Sequence, residues 1–193
     1  MRPATARAAP PGCVRIIAGS LRGSRLAVPD LPGLRPTPDR VRETLFNWLQ
    51  PLLPGARCLD LYAGSGALGI EALSRGAQSV CMVEREPVLA AALRANLDRL
   101  KQHAGTVVQA AALDYLARAP QPFDVVFLDP PYAADAWSAS ARALQPWLAP
   151  QARVYVEHPA DLPVPRLPAH WQALRSARAG AVNYALYRVD RQG

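Results

Sequence analysis

Residues 60–69 read DLYAGSGALG, and this stretch decides the fold. It overlaps a strand-like run, RCLDLY (57–62), and opens a helical stretch at 67–75. Gly64, Gly66 and Gly69 stand in G-x-G-x-x-G spacing, which lets a backbone turn tightly and approach a bound cofactor closely. Glu84 ends the next apolar run, SVCMVE (79–84), where a carboxylate can accept both hydroxyls of a ribose. Two cofactor classes share this pattern, dinucleotides and S-adenosylmethionine. Asp60, at the strand end four residues before Gly64, is of little help to a diphosphate and suits a cationic amino group. The spacing alone leaves both classes open.

The pattern around this loop alternates. Apolar runs of strand length recur at 106–110, 123–128 and 152–157, with helical stretches at 87–101, 112–118 and 136–148. Strand–helix alternation predicts an α/β fold whose mostly parallel sheet is covered on both faces. The end differs: 171–178 and 182–189 are strand-like around Ala179, Gly180 and Ala181, an antiparallel hairpin. Before the loop, 13–28 reads as a basic hairpin and 29–38 as a Pro/Gly loop. A helix follows with Val41, Leu45, Trp48 and Leu49 on one face, Asp39 as its cap, and Pro51, Pro54 and Gly55 as its stop.

A second motif, Asp129-Pro130-Pro131-Tyr132, directly follows the run DVVFL. Ligands of open α/β sheets sit outside the carboxyl ends of the strands, so this tetrapeptide shares an edge with the glycine loop. An exocyclic amine on a base is a poor nucleophile, because its lone pair is delocalised into the ring. Two acceptors on its N–H groups, the Asp129 side chain and the Pro130 carbonyl, would orient it. The proline pair stiffens that backbone. Tyr132 offers a flat face for a base turned out of its stack. Asp129 need not take the proton first, since the amine becomes acidic once methylated.

With 193 residues, half of them hydrophobic and 19% charged, the chain can bury a sizeable core and is not of disordered type. No apolar run reaches membrane-spanning length, and the N-terminus lacks a secretory h-region. The net charge is +7, and residues 1–42 hold eight arginines against two acids, so +6 of the net charge lies there. Such clustering points to an anionic partner, most often nucleic acid. Cys13, Cys58 and Cys81 show no metal spacing, and the last two read as buried structural thiols of a cytoplasmic protein. His103, His158 and His170 likewise read as surface or structural, and no metal is expected. Trp137 and Trp147 read as core.

The chain resembles the bacterial small-subunit ribosomal RNA guanine-N2 methyltransferases, the RsmD family. Three blocks carry the likeness: RIIAGSLRGSRLAVPDLPGLRPTPDRVRETLFNWL (15–49), CLDLYAGSGALGIEALSRGA (58–77) and FLDPPY (127–132). The first is the most specific. The resemblance implies a Rossmann-like class I S-adenosylmethionine-dependent methyltransferase domain over 55–193. It implies a small basic N-terminal extension over 13–54, while 1–12 is expected to be a disordered tail. It implies methyl transfer to N2 of one guanine of 16S rRNA, position 966 in conventional rRNA numbering, within a small-subunit assembly particle. Carried over by motif, Asp60, Tyr62, Gly64, Ser65, Gly66 and Glu84 would hold the cofactor, and Asp129 to Tyr132 the target base. Arg22, Arg25, Arg35, Thr37, Arg40 and Arg42 would line the RNA side.

One position departs from the pattern. Many methyltransferases of this fold place an acid for the adenine amine where this chain has Ala111, so backbone groups are expected to hold the adenine there. Asp114, on the following helix, is the weaker candidate. Monomeric behaviour is expected. Three other readings stay open. One is methylation of adenine N6 or a protein glutamine, which the basic block disfavours. Another is a nicotinamide-dependent oxidoreductase, for which no hydride-site His or Tyr/Lys pair is evident. The last is a non-catalytic RNA-binding assembly factor, against which Asp60, Glu84 and Asp129 count.

Overall fold

The computed structural model describes residues 12–31, 37–131 and 136–190. The body is a seven-stranded sheet in the order β5-β4-β3-β6-β7-β9-β8. Its parallel strands are β3 (Arg57–Asp60), β4 (Ser79–Glu84), β5 (Gly105–Gln109), β6 (Phe123–Leu128) and β7 (Leu148–Pro159). Strands β8 (Trp171–Ala179) and β9 (Val182–Val189) close it as an antiparallel hairpin, β9 lying against β7. A separate hairpin, β1 (Gly12–Arg15) and β2 (Arg25–Val28), pairs Cys13 with Ala27 and Arg15 with Arg25. Gly12 therefore belongs to a strand, while the rest of the expected tail, 1–11, lies outside the described residues.

Why the inner strands read as unbroken apolar runs is visible in where their side chains go. Val80 and Met82 of β4 enter the core under helices α1 (Asp39–Leu49), α2 (Ala67–Ser74) and α3 (Pro87–Arg99). Cys81 and Val83 enter the opposite core, under α4 (Ala112–Leu116) and α5 (Ala136–Ala143). Both faces are thus dry, as a parallel sheet requires. Trp137 and Trp147 pack in the second core, and their indole N–H groups donate to the carbonyls of Glu157 (2.7 Å) and Leu116 (3.1 Å). Among the described residues no helix is long and apolar enough to cross a membrane.

Several boundaries differ from the sequence expectation for local reasons. Strand β3 stops at Asp60, because Leu61 and Tyr62 already belong to the glycine turn. The helix expected over 136–148 ends at Ala143, and a single 3-10 turn, Gln145–Trp147, carries Pro146, which has no N–H for a longer ladder. Strand β7 consequently begins at Leu148, with an irregular register against β6. Asp39 does not cap α1. Pro38 holds that position in an extended conformation, and Asp39 sits in the first turn, where its carboxylate binds Arg42 Nη2 at 2.6 Å.

The N-terminal hairpin is not a detached appendage. Val14, Ile16, Leu26 and Val28 join the same core as α1, α2 and α3. The Glu71 carboxylate on α2 accepts the backbone N–H groups of Ile17 (2.8 Å) and Ala18 (3.0 Å). Asn96 on α3 mimics a strand neighbour, accepting Ala27 N–H and donating to Ala27 O. Gly19, at φ +84°, runs so close to α2 that a Cβ would lie 1.9 Å from Ser74 O.

Candidate active site

At the carboxyl edge of the parallel strands lies a cleft of about 580 Å³. The strands deliver acids to it in register: Asp60 ends β3, Glu84 ends β4, Asp129 follows β6, and Glu157 stands near the end of β7. The glycine loop makes its floor. Gly64 and Gly66 take φ of +51° and +76°, a conformation that side-chain-bearing residues rarely adopt. Gly64 N–H donates to Glu84 Oε2 at 2.8 Å, and Glu86 N–H donates to Glu84 Oε1 at 2.8 Å, so the carboxylate is aimed by two backbone donors. Asp60 Oδ2 accepts Gly69 N–H at 2.9 Å. Gly69 serves helix–strand packing, since a Cβ there would meet Met82 at 2.9 Å.

The acids are held in a low-dielectric setting. Burial pushes the Asp60 carboxyl up to about 7, against the Gly69 hydrogen bond, and the charge of Glu84 adds to the rise. Asp129 is half-buried. Its carboxyl stands well above the usual carboxylate range, through burial first and then the charges of Glu157 and Asp60. Among the described residues no side-chain or backbone donor reaches the Asp129 carboxylate. Pro130 and Pro131 line the cleft beside it. Tyr132 lies outside the described residues.

The profile of the family described as conserved hypothetical protein 95 matches residues 14–188. The chain belongs to that family, the RsmD family of the sequence reading. It is 46% identical over 184 residues to "Ribosomal RNA small subunit methyltransferase D" of Escherichia coli K12, covering 94% of this chain and 93% of that protein. The protein of the same description from Haemophilus influenzae is 45% identical over 183 residues, covering 92% and 94%. The solved structure of yhhF from Escherichia coli superposes with a TM-score of 0.88 at 43% identity, covering 94% of this chain and all of that one. The fold is the Rossmann-like one of class I methyltransferases.

In this RsmD-family chain the expected cofactor residues divide. Asp60, Tyr62, Gly64, Ser65 and Glu84 line the cleft. Tyr62 is braced by Ser140, hydroxyl to hydroxyl at 2.7 Å. Gly66 does not line it. This glycine caps α2 from behind the loop, where a Cβ would meet Leu93 at 2.4 Å. Ala111 is exposed at the start of α4, and the wall there is made by its neighbours Ala110 and Ala112. Asp114 is exposed and does not reach the cleft.

The basic residues divide too. Arg22, Arg25 and Arg40 are exposed, and Arg35 lies outside the described residues. Thr37 is buried and lines the cleft, together with Leu31, which the sequence reading did not single out. Arg42 is corrected: its side chain is fully buried. Its Nε donates to Thr37 O, its Nη2 to Arg15 O and Asp39, and its Nη1 lies 3.7 Å from Glu71. It braces the segment that carries Thr37 and offers no exposed guanidinium to a partner.

Glu157 was also missed. It is 5% exposed, lines the cleft, and accepts the Tyr155 hydroxyl on Oε2 at 2.6 Å. Its signal was available as a fourth strand-end acid in YVE (155–157). The thiols of Cys58 and Cys81 are buried, and burial pushes Cys58 up to about 12, so it stays an inert thiol. Among the described residues no group of three His, Cys, Asp or Glu could hold a metal ion.

Proposed function

We propose that this protein is a cytoplasmic, S-adenosylmethionine-dependent RNA methyltransferase that modifies the N2 amine of a guanine in small-subunit rRNA. The observation that carries this reading is the half-buried Asp129 carboxylate, beside Pro130, in the same cleft as Asp60 and Glu84. The donor set fits the cofactor. A crowd of buried carboxylates favours a cationic ligand, Glu84 is preset to accept ribose hydroxyls, and Ala110, Ala112 and Leu89 offer an apolar wall to a flat ring. When bound, S-adenosylmethionine supplies an electrophilic methyl group on a sulfonium sulfur, which keeps the electron pair of the broken S–C bond and leaves as a neutral thioether. The family relatives described as rRNA small-subunit methyltransferases support the substrate class.

The chain's own work is positioning. Asp129 accepts one N–H of the exocyclic amine and the Pro130 carbonyl accepts the other, which directs the nitrogen lone pair at the methyl carbon. Once the new N–C bond forms, the nitrogen carries positive charge and its proton leaves to Asp129 or to water. A carboxyl raised by burial is the better acceptor at neutral pH. The exposed Arg22, Arg25 and Arg40 meet the phosphate backbone.

The direct test is transfer of label from S-adenosylmethionine to small subunits lacking the modification. Wild-type protein should label the rRNA. Asp129→Ala should lose about 100-fold or more in kcat while still binding the cofactor. Full activity in Asp129→Ala contradicts the assigned role.

A further inference from the structure

Glu157 faces the acceptor end of the cleft, alongside Asp129, Pro130 and Pro131. Two anchors fix it. The Trp137 indole N–H donates to the Glu157 carbonyl at 2.7 Å, and the Tyr155 hydroxyl donates to Oε2 at 2.6 Å. Oε1 has no hydrogen-bond partner among the described residues and is not fully buried, in a residue that lines the cleft. A buried carboxylate with one oxygen held and the other open is a built acceptor, and burying it without a ligand to accept from is costly. Nothing in the methyl-transfer step described above uses it.

The Watson–Crick edge of guanine carries the N1–H donor next to the N2 amine. Adenine has a lone pair at N1, which a carboxylate repels. A base turned into the cleft is read by hydrogen bonds to that edge. We propose that Glu157 selects guanine, Oε1 accepting N1–H while Asp129 and the Pro130 carbonyl hold the N2 amine. This rests on the guanine-N2 reading above and adds its specificity-determining residue. Discrimination of this kind is large, because the wrong base leaves buried polar groups unpaired. The shared charge of the two acids, each raised by burial, is relieved when N–H donors arrive for both.

The test uses small subunits reconstituted with either guanine or 2,6-diaminopurine at the target position. Diaminopurine keeps the N2 amine and replaces N1–H with a lone pair. Wild-type protein should prefer guanine by at least about tenfold in kcat/KM. Glu157→Gln, whose amide can donate to a bare N1, should narrow that preference to about threefold or less, with cofactor-induced thermal stabilisation retained. Tyr155→Phe removes the phenol that holds the carboxylate ionised. It should narrow the preference in the same direction by a smaller factor, and it serves if Glu157→Gln fails to fold. A preference unchanged in both variants, or equal losses on both bases, overturns the role of Glu157 and leaves the methylation reading intact. Wild-type protein that puts no methyl on guanine N2 overturns that reading itself.

Discussion

Asp60 is buried with Glu84 nearby, and its carboxyl is raised from 3.8 to about 7. A carboxyl raised in the folded state contributes stability that is full below its unfolded value and is lost as pH rises through the folded one. The loss therefore falls between pH 3.8 and about 7. Asp60→Asn removes it, so the variant should gain thermal stability over wild type at about pH 8 and gain little at about pH 4. A gain that does not grow with pH in thermal denaturation contradicts this. Glu84→Gln replaces an acceptor of two backbone N–H groups with an amide that can satisfy only one. Calorimetry should show cofactor affinity weakened about tenfold or more, and unchanged affinity counts against the assignment. The places of Asp60, Glu84, Asp129 and Gly64 at the cleft were legible because each has a chemical reason at a fixed spacing. Arg42 was placed on the RNA side with the motif that carries it, although its spacing with Leu45, Phe46 and Leu49 already placed it on the buried face of α1. Glu157 was overlooked because it sits in a strand with no motif around it.

At the scale of elements, Glu71 holds the hairpin to the body. It accepts Ile17 and Ala18 N–H groups and Arg75 Nε at 2.7 Å, and lies beside Arg42. Glu71→Ala strands buried donors and two arginines, so urea denaturation should show a loss of about 3–5 kcal/mol. Gly19→Ala, forced against Ser74 O at positive φ, should also destabilise, by about 2 kcal/mol or more. A neutral result for either would detach the hairpin from the folding unit described here. Strand–helix alternation made the order of the body legible. The tie between hairpin and helix was not, because Glu71 and Asn96 lie 53 to 69 residues from their partners and read locally as ordinary helix polar residues. The extent of β7 was hidden for a simpler reason: Trp137 and Trp147 suggest one helix, and Pro146 divides it.

Across the whole molecule, arginines Arg15, Arg22, Arg25 and Arg40 are exposed on the N-terminal segment, while Asp60, Glu84, Asp129 and Glu157 gather in the cleft. On the proposed function, phosphate contacts from that segment would make binding salt-dependent. Arg22→Ala with Arg25→Ala should weaken subunit binding and flatten its salt dependence by roughly one unit of slope per lost contact, with cofactor affinity unchanged. An unaltered slope would remove these residues from the RNA face. The central claim is the identity of the methylated atom, and mass spectrometry of rRNA digests after reaction with labelled S-adenosylmethionine tests it most directly. The account predicts N2-methylguanine at one site, absent with Asp129→Ala. Label in adenine or in protein, or no label despite cofactor binding, would contradict it.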